Sequence, residues 1–268
     1  MTTRIVHLSD LHFGRDRPEL AEPLIAAVDD LAPDLVAVSG DLTQRARIGQ
    51  FRAARAFLER LPAPVLCVPG NHDTPLDNLL VRLLRPFGRY REHISHDLEP
   101  RLDVGDDVAV VGANTVNPLA WQRGRIGPRT VDRVCAAFRA RSGEGPNVVV
   151  LHHPLEHAPG TDKALTRGAG RALAAFGACG AHVVLCGHLH NWHTAPGTVV
   201  RRTLLVQAGT SLSTRVRDEP NDFNLLTLDG RSATVERYTA RDDASGFDHE
   251  GAYRFLRTDA GWEVDARG

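Results

Sequence analysis

Residues 7–14 read HLSDLHFG, and they directly follow the apolar pair Ile5-Val6. A short buried strand therefore ends in an aspartate and a histidine one residue apart, Asp10 and His12. A strand tip entering a polar turn would account for that pair by itself. The same event recurs along the chain, and the recurrence decides the reading. The apolar run at residues 34–39 is followed by GDLT, with Gly40 and Asp41. The run at 64–69 is followed by GNHD, with Gly70, Asn71, His72 and Asp73. The run at 147–151 leads into His152, His153 and Pro154, and the run at 182–186 into GHLH, with Gly187, His188 and His190. Only the run at 108–113 lacks such a motif. Open α/β sheets bind their ligands at the carboxyl edge of the strands. A glycine ahead of the ligand lets the backbone turn sharply and approach closely, which suits Gly40, Gly70 and Gly187.

Helical patterns lie between the runs, over residues 20–31, 50–61, 128–141 and 165–176. This alternation predicts α/β layering with much parallel pairing. From about residue 198 the pattern changes. Runs at 199–206, 223–228 and 233–238 follow one another with turn signals such as LDGRS and no helix between them, which predicts an antiparallel second sheet in the same domain. Residues 85–106 are polar and weakly periodic, and read as a surface excursion forming a small cap on a domain at 1–243. LLVRLL at 79–84 is a short candidate for an apolar helical cap, but reads rather as a core-facing amphipathic helix. Residues 244–268 form a C-terminal extension, with a hairpin in YRFLRTDAGWEV packed on the same domain.

A chain of 268 residues can bury one large core or two small ones. Its net charge of -1 supplies no bulk field for nucleic acid or an anionic membrane, so neither is expected as a stable partner. No stretch approaches the roughly 18 apolar residues of a membrane span. Cys67, Cys135, Cys179 and Cys186 show no CxxC spacing and read as small buried hydrophobes in a reducing compartment. Together these features predict a cytoplasmic protein, with a homodimer as a compatible assembly.

Asp10, His12, Asp41, Asn71, His152, His188 and His190 are too many ligands for one tetrahedral zinc. Mixed oxygen and nitrogen donors suit Fe, Mn or Zn in octahedral sites. Two metals about 3.5–4 Å apart are the usual arrangement for phosphoester hydrolysis, and Asp41, central in the series, is the natural bridge.

The ordered set D-x-H, G-D, G-N-H-D, H-x-P and G-H-x-H, spanning residues 4 to about 190, resembles the calcineurin-like metallophosphoesterase superfamily. Its compact form is most similar to the bacterial class III cyclic-nucleotide phosphodiesterases and their glycerophosphodiesterase relatives. The resemblance implies a four-layer αββα sandwich, two mixed β-sheets flanked by helices. It implies a first metal on Asp10, His12, Asp41 and His190, and a second on Asp41, Asn71, His152 and His188. His72 would be no ligand, but the group that protonates the leaving oxygen or steadies the transition state, beside Asn71. The H-x-P pattern selects His152 over His153, which would stand behind it. Asp73 would orient the GNHD loop, His7 would be a satisfied core residue, and His193 would lie on the surface.

The implied activity is hydrolysis of small phosphodiesters through a metal-bridging hydroxide, with 3′,5′-cyclic nucleotides the first candidate. Near-neutral charge fits a small diester better than a polymer. A broader phosphodiesterase, phosphatase or nuclease, and a non-catalytic interaction scaffold, are the alternatives. No cluster of Lys or Arg is evident for a dianionic monoester.

Overall fold

The computed structural model describes residues 2–265 apart from Asp106, Asp107, Ser142, Glu144, Pro159 and Asp218. In the first half, β1 (Thr3–Leu8), β2 (Leu35–Val38) and β3 (Val65–Cys67) alternate with α1 (Ala21–Asp30) and α2 (Ile48–Leu58). Two short helices follow, α3 (Leu79–Leu84) and α4 (Gly88–His93), then β4 (Arg101–Val104) and β5 (Val108–Ala113). The chain continues through α5 (Pro128–Arg139), β6 (Asn147–Leu151), α6 (Ala169–Cys179) and β7 (Val183–Cys186). Six strands complete it: β8 (His193–Pro196), β9 (Leu204–Gln207), β10 (Asp222–Asp229), β11 (Ser232–Ala240), β12 (Phe247–Thr258) and β13 (Gly261–Val264).

Two mixed sheets result. One has the order β13-β12-β11-β10-β1-β2-β3, the other β4-β5-β6-β7-β9-β8. Side chains alternate across each strand, and the alternation builds the layers. Ile5, Ala37 and Leu226 of the first sheet meet Val110, Val150 and Leu185 of the second in the core between the sheets. Val6 and Val38 point the other way, onto Leu24 and Val28 of α1 and Phe51 and Phe57 of α2. Val149 and Val184 likewise meet Val134 and Phe138 of α5 and Leu173 and Phe176 of α6. Strands buried on both faces need continuous apolar runs, as β5, β6 and β7 have. The implied four-layer αββα sandwich is the observed architecture.

The late strands depart from expectation. They do not make a separate sheet. β9 pairs parallel with β7, whereas β10 pairs antiparallel with β1, in the register Ile5↔Leu226, and β11 to β13 extend that sheet outward. The reason lies in β10, which is apolar on both faces: Phe223 and Leu225 face the helices, Leu226 and Leu228 the other sheet. Such a strand fits only a central position.

The segment expected as a small surface cap is anchored to the rest of the fold at two points. Tyr90 of α4 is fully buried against Phe51, with ring centroids 6.3 Å apart, and β4 adds an edge strand to β5. β12 and β13 form an antiparallel hairpin closed at Thr258↔Gly261. The four cysteines do not all remain thiols. Cys135 of α5 and Cys179 of α6 are joined as a disulfide with Cα atoms 5.3 Å apart, because helix packing brings together residues that no short motif links. Cys67 and Cys186 are free and buried. Among the described residues no helix is long and apolar enough to cross a membrane.

Candidate metal centre

The carboxyl ends of β1, β2 and β3 in one sheet and of β6 and β7 in the other open onto one edge of the sandwich. Backbone hydrogen bonds tie the loops there. Asp10 N donates to the Gly40 carbonyl at 3.1 Å, His12 N to the Asp41 carbonyl at 2.9 Å, and Gly187 N to the His152 carbonyl at 3.1 Å.

The loops hold their side chains at the cost of backbone strain. Asp10, His12, Asp41, His188 and His190 all take left-handed φ, between 50° and 71°. Non-glycine residues in that region cost about 1–3 kcal/mol each, and such strain collects at functional sites. Five of the seven expected ligands carry it. Two glycines explain the tight approach. A Cβ on Gly70 would collide with the Asp41 carboxylate, and one on Gly187 with Ser9 and the Asp10 carboxylate.

All seven expected ligands lie on these converging loops, and most are fully buried. One donor group comprises Asp10, His12 and His190, a second Asp10, Asp41 and His152, and a third His152, His153 and His188. Asp10 Oδ1 lies 3.1 Å from His190 Nε2 and 3.4 Å from His12 Nε2. Asp41 Oδ2 stands between the groups, 3.6 Å from His12 Nε2 and 3.3 Å from His152 Nε2. His152 Nε2 is also 3.1 Å from Asn71 Oδ1.

Hydrogen bonding settles what these atoms offer. His190 Nδ1 is 2.7 Å from the Arg215 carbonyl, and His152 Nδ1 is 2.8 Å from the Ser39 carbonyl. A carbonyl only accepts, so each Nδ1 carries the hydrogen and each neutral ring turns an Nε2 lone pair inward. Asp10 Oδ2 accepts from Ser9 Oγ and His188 N, while buried Oδ1 has no hydrogen-bond partner. Asp41 Oδ1 accepts from His72 N at 2.8 Å, leaving Oδ2 to the histidines. Lone pairs therefore face lone pairs, an arrangement stabilised by cations placed between them. The donor set fits metal.

Without metal, a proton must serve. Burial alone would lower the His152 pKa, but Asp41 and Asp10 outweigh it and raise it to about 9. Burial opposes the charge on Asp10 as well, yet the surrounding histidines hold it well below the usual carboxylate range. Burial and the neighbouring His152 depress His153 to about 3. The sign for stability follows. A histidine raised above its ordinary value stabilises the fold fully below pH about 6.5, and that contribution is lost as pH rises through about 9. The chelated protein should therefore lose thermal stability between these limits, while the metal-loaded protein should not. Melting temperature against pH, with and without chelator, is the measurement. Parallel curves would show that no metal replaces the proton on His152.

His153 is not remote. Its Nδ1 meets Thr115 Oγ1 at 2.9 Å, its buried Nε2 has no partner, and its ring is 4.5 Å from that of His188. The structure thus brings both residues of the His152-His153 pair to the site. Only His152 reaches Asp41 and Asn71. Asp73 accepts from Leu42 N, Thr43 N and Gly70 N and so clamps the GNHD loop. His7 bonds Ser39 inside the core, and His193 is half-buried at the start of β8.

His72 lies edge-on to His12, with centroids 4.9 Å apart. Its Nδ1 is 2.8 Å from the Gln44 carbonyl and its Nε2 is 3.0 Å from Arg215 Nη1. A guanidinium cannot accept, so Nε2 accepts from Arg215. Arg215 was not foreseen. It sits in the β9–β10 connection, which carries no motif and is drawn to the site by Ser211 N to the Ser9 carbonyl and Thr210 Oγ1 to the Asp10 carbonyl. With Arg15 and Arg45 it lines a pocket of about 300 Å³ beside His72, so the site does not lack basic side chains.

Comparison with known proteins agrees with this geometry. The glycerophosphodiester phosphodiesterase GpdQ of Enterobacter lignolyticus is 27% identical over 212 residues, covering 70% of this chain and 70% of the relative. The "Probable cyclic nucleotide phosphodiesterase" of Synechococcus is 29% identical over 166 residues, covering 58% of this chain and 59% of the relative. A dimetal phosphatase from Danio rerio has the same fold, with a TM-score of 0.66 at 11% identity, covering 92% of this chain and 98% of that one. The family model described as calcineurin-like phosphoesterase matches residues 3–192, which include all seven expected ligands. A sandwich whose strand ends gather histidines and carboxylates, matched by that family over most of its length, belongs to the calcineurin-like phosphoesterases and is a hydrolytic phosphoesterase.

Proposed function

We propose that this phosphoesterase is a dinuclear metal-dependent phosphodiesterase of small substrates, with 3′,5′-cyclic nucleotides as the first candidates. The observation that carries the reading is Asp41 Oδ2, set between His12 on one side and His152 on the other. Asp10, His12, Asp41 and His190 would hold one metal, and Asp41, Asn71, His152 and His188 the other, with Fe, Mn or Zn compatible. Bound there, two cations would activate water and neutralise developing phosphoryl charge.

The chain's own groups do the rest. Backbone carbonyls fix His152 and His190 with their Nε2 atoms inward. Asn71 supplies a neutral oxygen. Arg215, held by His72, presents a permanent donor at the site's mouth. In the reaction a water oxygen bonds to phosphorus, the bond to one ester oxygen breaks, and that oxygen leaves as an alcohol with a proton from water.

The names of the two phosphodiesterase relatives support diesters over monoesters. Arg215 removes one argument for that preference, the expected scarcity of basic groups, and a panel of diester and monoester substrates decides it. We expect kcat/KM to be higher on bis(p-nitrophenyl) phosphate than on p-nitrophenyl phosphate with Mn, Fe or Zn. A clear preference for the monoester with every metal would overturn the diesterase assignment. Including cyclic AMP and glycerophosphodiesters in the panel separates the candidate substrates.

A further inference from the structure

A line of buried polar groups leads away from the metal site to a half-buried tryptophan, and the reaction described above does not use it. His7 of β1, Ser9, Ser39 and Asn224 of β10 are all fully buried. Burying such groups is costly unless each is hydrogen-bonded. Here they bond one another in series, because His7 and Asn224 stand opposite each other on β1 and β10. Trp192 Nε1 lies 2.7 Å from Asn224 Oδ1, and Asn224 Nδ2 lies 3.4 Å from His7 Nδ1. His7 Nε2 is 2.9 Å from Ser39 Oγ, Ser39 Oγ is 2.8 Å from Ser9 Oγ, and Ser9 Oγ is 2.6 Å from Asp10 Oδ2.

The two ends fix the direction of every bond between them. An indole N–H only donates, and a carboxylate only accepts. Trp192 therefore takes the carbonyl oxygen of Asn224, which turns the amide N–H toward His7. His7 Nδ1 must accept it, so the ring hydrogen sits on Nε2 and is donated to Ser39. Burial lowers the His7 pKa to about 3 against the opposing pull of Asp10, which keeps the ring neutral. Ser39 gives its own hydrogen to Ser9 rather than to the Leu8 carbonyl, which is farther away at 3.5 Å. Ser9 then donates to Asp10. With His188 N also at 2.9 Å, Oδ2 accepts twice, and Oδ1 is left facing the metal site.

We propose that this relay is a positioning device: Trp192, acting through Asn224, His7, Ser39 and Ser9, fixes which oxygen Asp10 presents to its metal. The inference rests on the dinuclear reading and extends it to residues that touch neither metal nor substrate. With the amide of Asn224 reversed, the His7 hydrogen would move to Nδ1 and Nε2 would accept from Ser39. Ser9 would then be free to turn from Asp10 to Ser39. Trp192 is itself clamped from outside. The Tyr253 ring of β12 stacks on it with centroids 4.9 Å apart, and the Arg237 guanidinium stands 5.2 Å over its ring. The C-terminal strands are thereby tied to the metal centre.

Nitrogen NMR of the chelated protein tests the direction without metal or turnover. The His7 ring, assigned by its loss in His7→Gln, should carry its hydrogen on Nε2 alone at neutral pH. In Trp192→Phe, part of it should appear on Nδ1. Hydrogen on Nδ1 in the wild type, or no change in Trp192→Phe, would overturn the relay. Calorimetric titration with zinc tests the effect on the site. Ser9→Ala should weaken one of the two binding events by about 10–100-fold, the usual cost of removing a group that orients a metal ligand. His7→Leu should weaken the same event, and His7→Gln, whose amide N–H still donates to Ser39, should recover it. Melting temperatures of the same samples report folding, and Trp192→Phe takes the place of His7→Leu if that variant does not fold. Equal weakening of both events would mean damaged packing and overturn the proposal. Unchanged zinc affinity in Ser9→Ala would overturn it too, and leave the dinuclear reading intact. A wild-type protein that binds a single zinc would sink the dinuclear reading, while the His7 hydrogen and the effect of Ser9→Ala on that one zinc still decide the relay.

Discussion

Asp41→Ala should abolish hydrolysis and strip most of the bound metal in one step. Asp41 Oδ2 faces both His12 and His152, so its removal opens both proposed coordination sets together. Its Oδ1 also fixes the His72 backbone, and the Gly70 turn packs against the carboxylate. Residues that merely orient a metal ligand cost about 10–100-fold when removed, so a shared ligand must cost more. His12→Ala touches only one set, and should lose activity while keeping part of the metal. Elemental analysis decides between them. Two metals per chain in Asp41→Ala would refute the bridging role.

The second large effect is at His72. A proton donated to the leaving oxygen would be worth about 10²–10⁴-fold on an alkyl diester and far less on a nitrophenyl ester, which leaves unaided. The structure favours the other role. Nδ1 is committed to the Gln44 carbonyl and Nε2 accepts from Arg215, so the ring holds a guanidinium rather than a transferable proton. Removing one preorganised donor costs about 10²–10³-fold in turnover. His72→Ala should therefore slow cyclic AMP and bis(p-nitrophenyl) phosphate by a similar factor of that size, with metal content near wild type. A loss confined to the alkyl substrate would restore the proton-donor role and show that Arg215 moves away when substrate binds.

These expectations differ in where they come from. The convergence of the expected ligands was legible because each follows its strand within about four residues, and parallel strands deliver their carboxyl ends to one edge. The α/β layering was legible as well, from apolar runs alternating with helical periodicity, whereas the four layers were implied only by the resemblance of the motifs. Both signals are local, so residue order suffices to carry them.

What tertiary structure decided are pairings between distant segments. β10 could have paired elsewhere, and only two-faced burial beside β1, more than two hundred positions earlier, seats it. Cys135 and Cys179 meet because α5 and α6 pack on the same sheet. Arg215 reaches His72 because its loop hydrogen-bonds Ser9 and Asp10. α3 reads LLVRLL whichever way it faces. Its leucines lie exposed rather than in the core. The carbonyls of Pro75, Pro118 and Ala120 capture Arg82 instead, two of them on a loop almost forty residues away. No periodicity encodes such a choice, since it depends on which surface happens to offer acceptors once the sheets have closed.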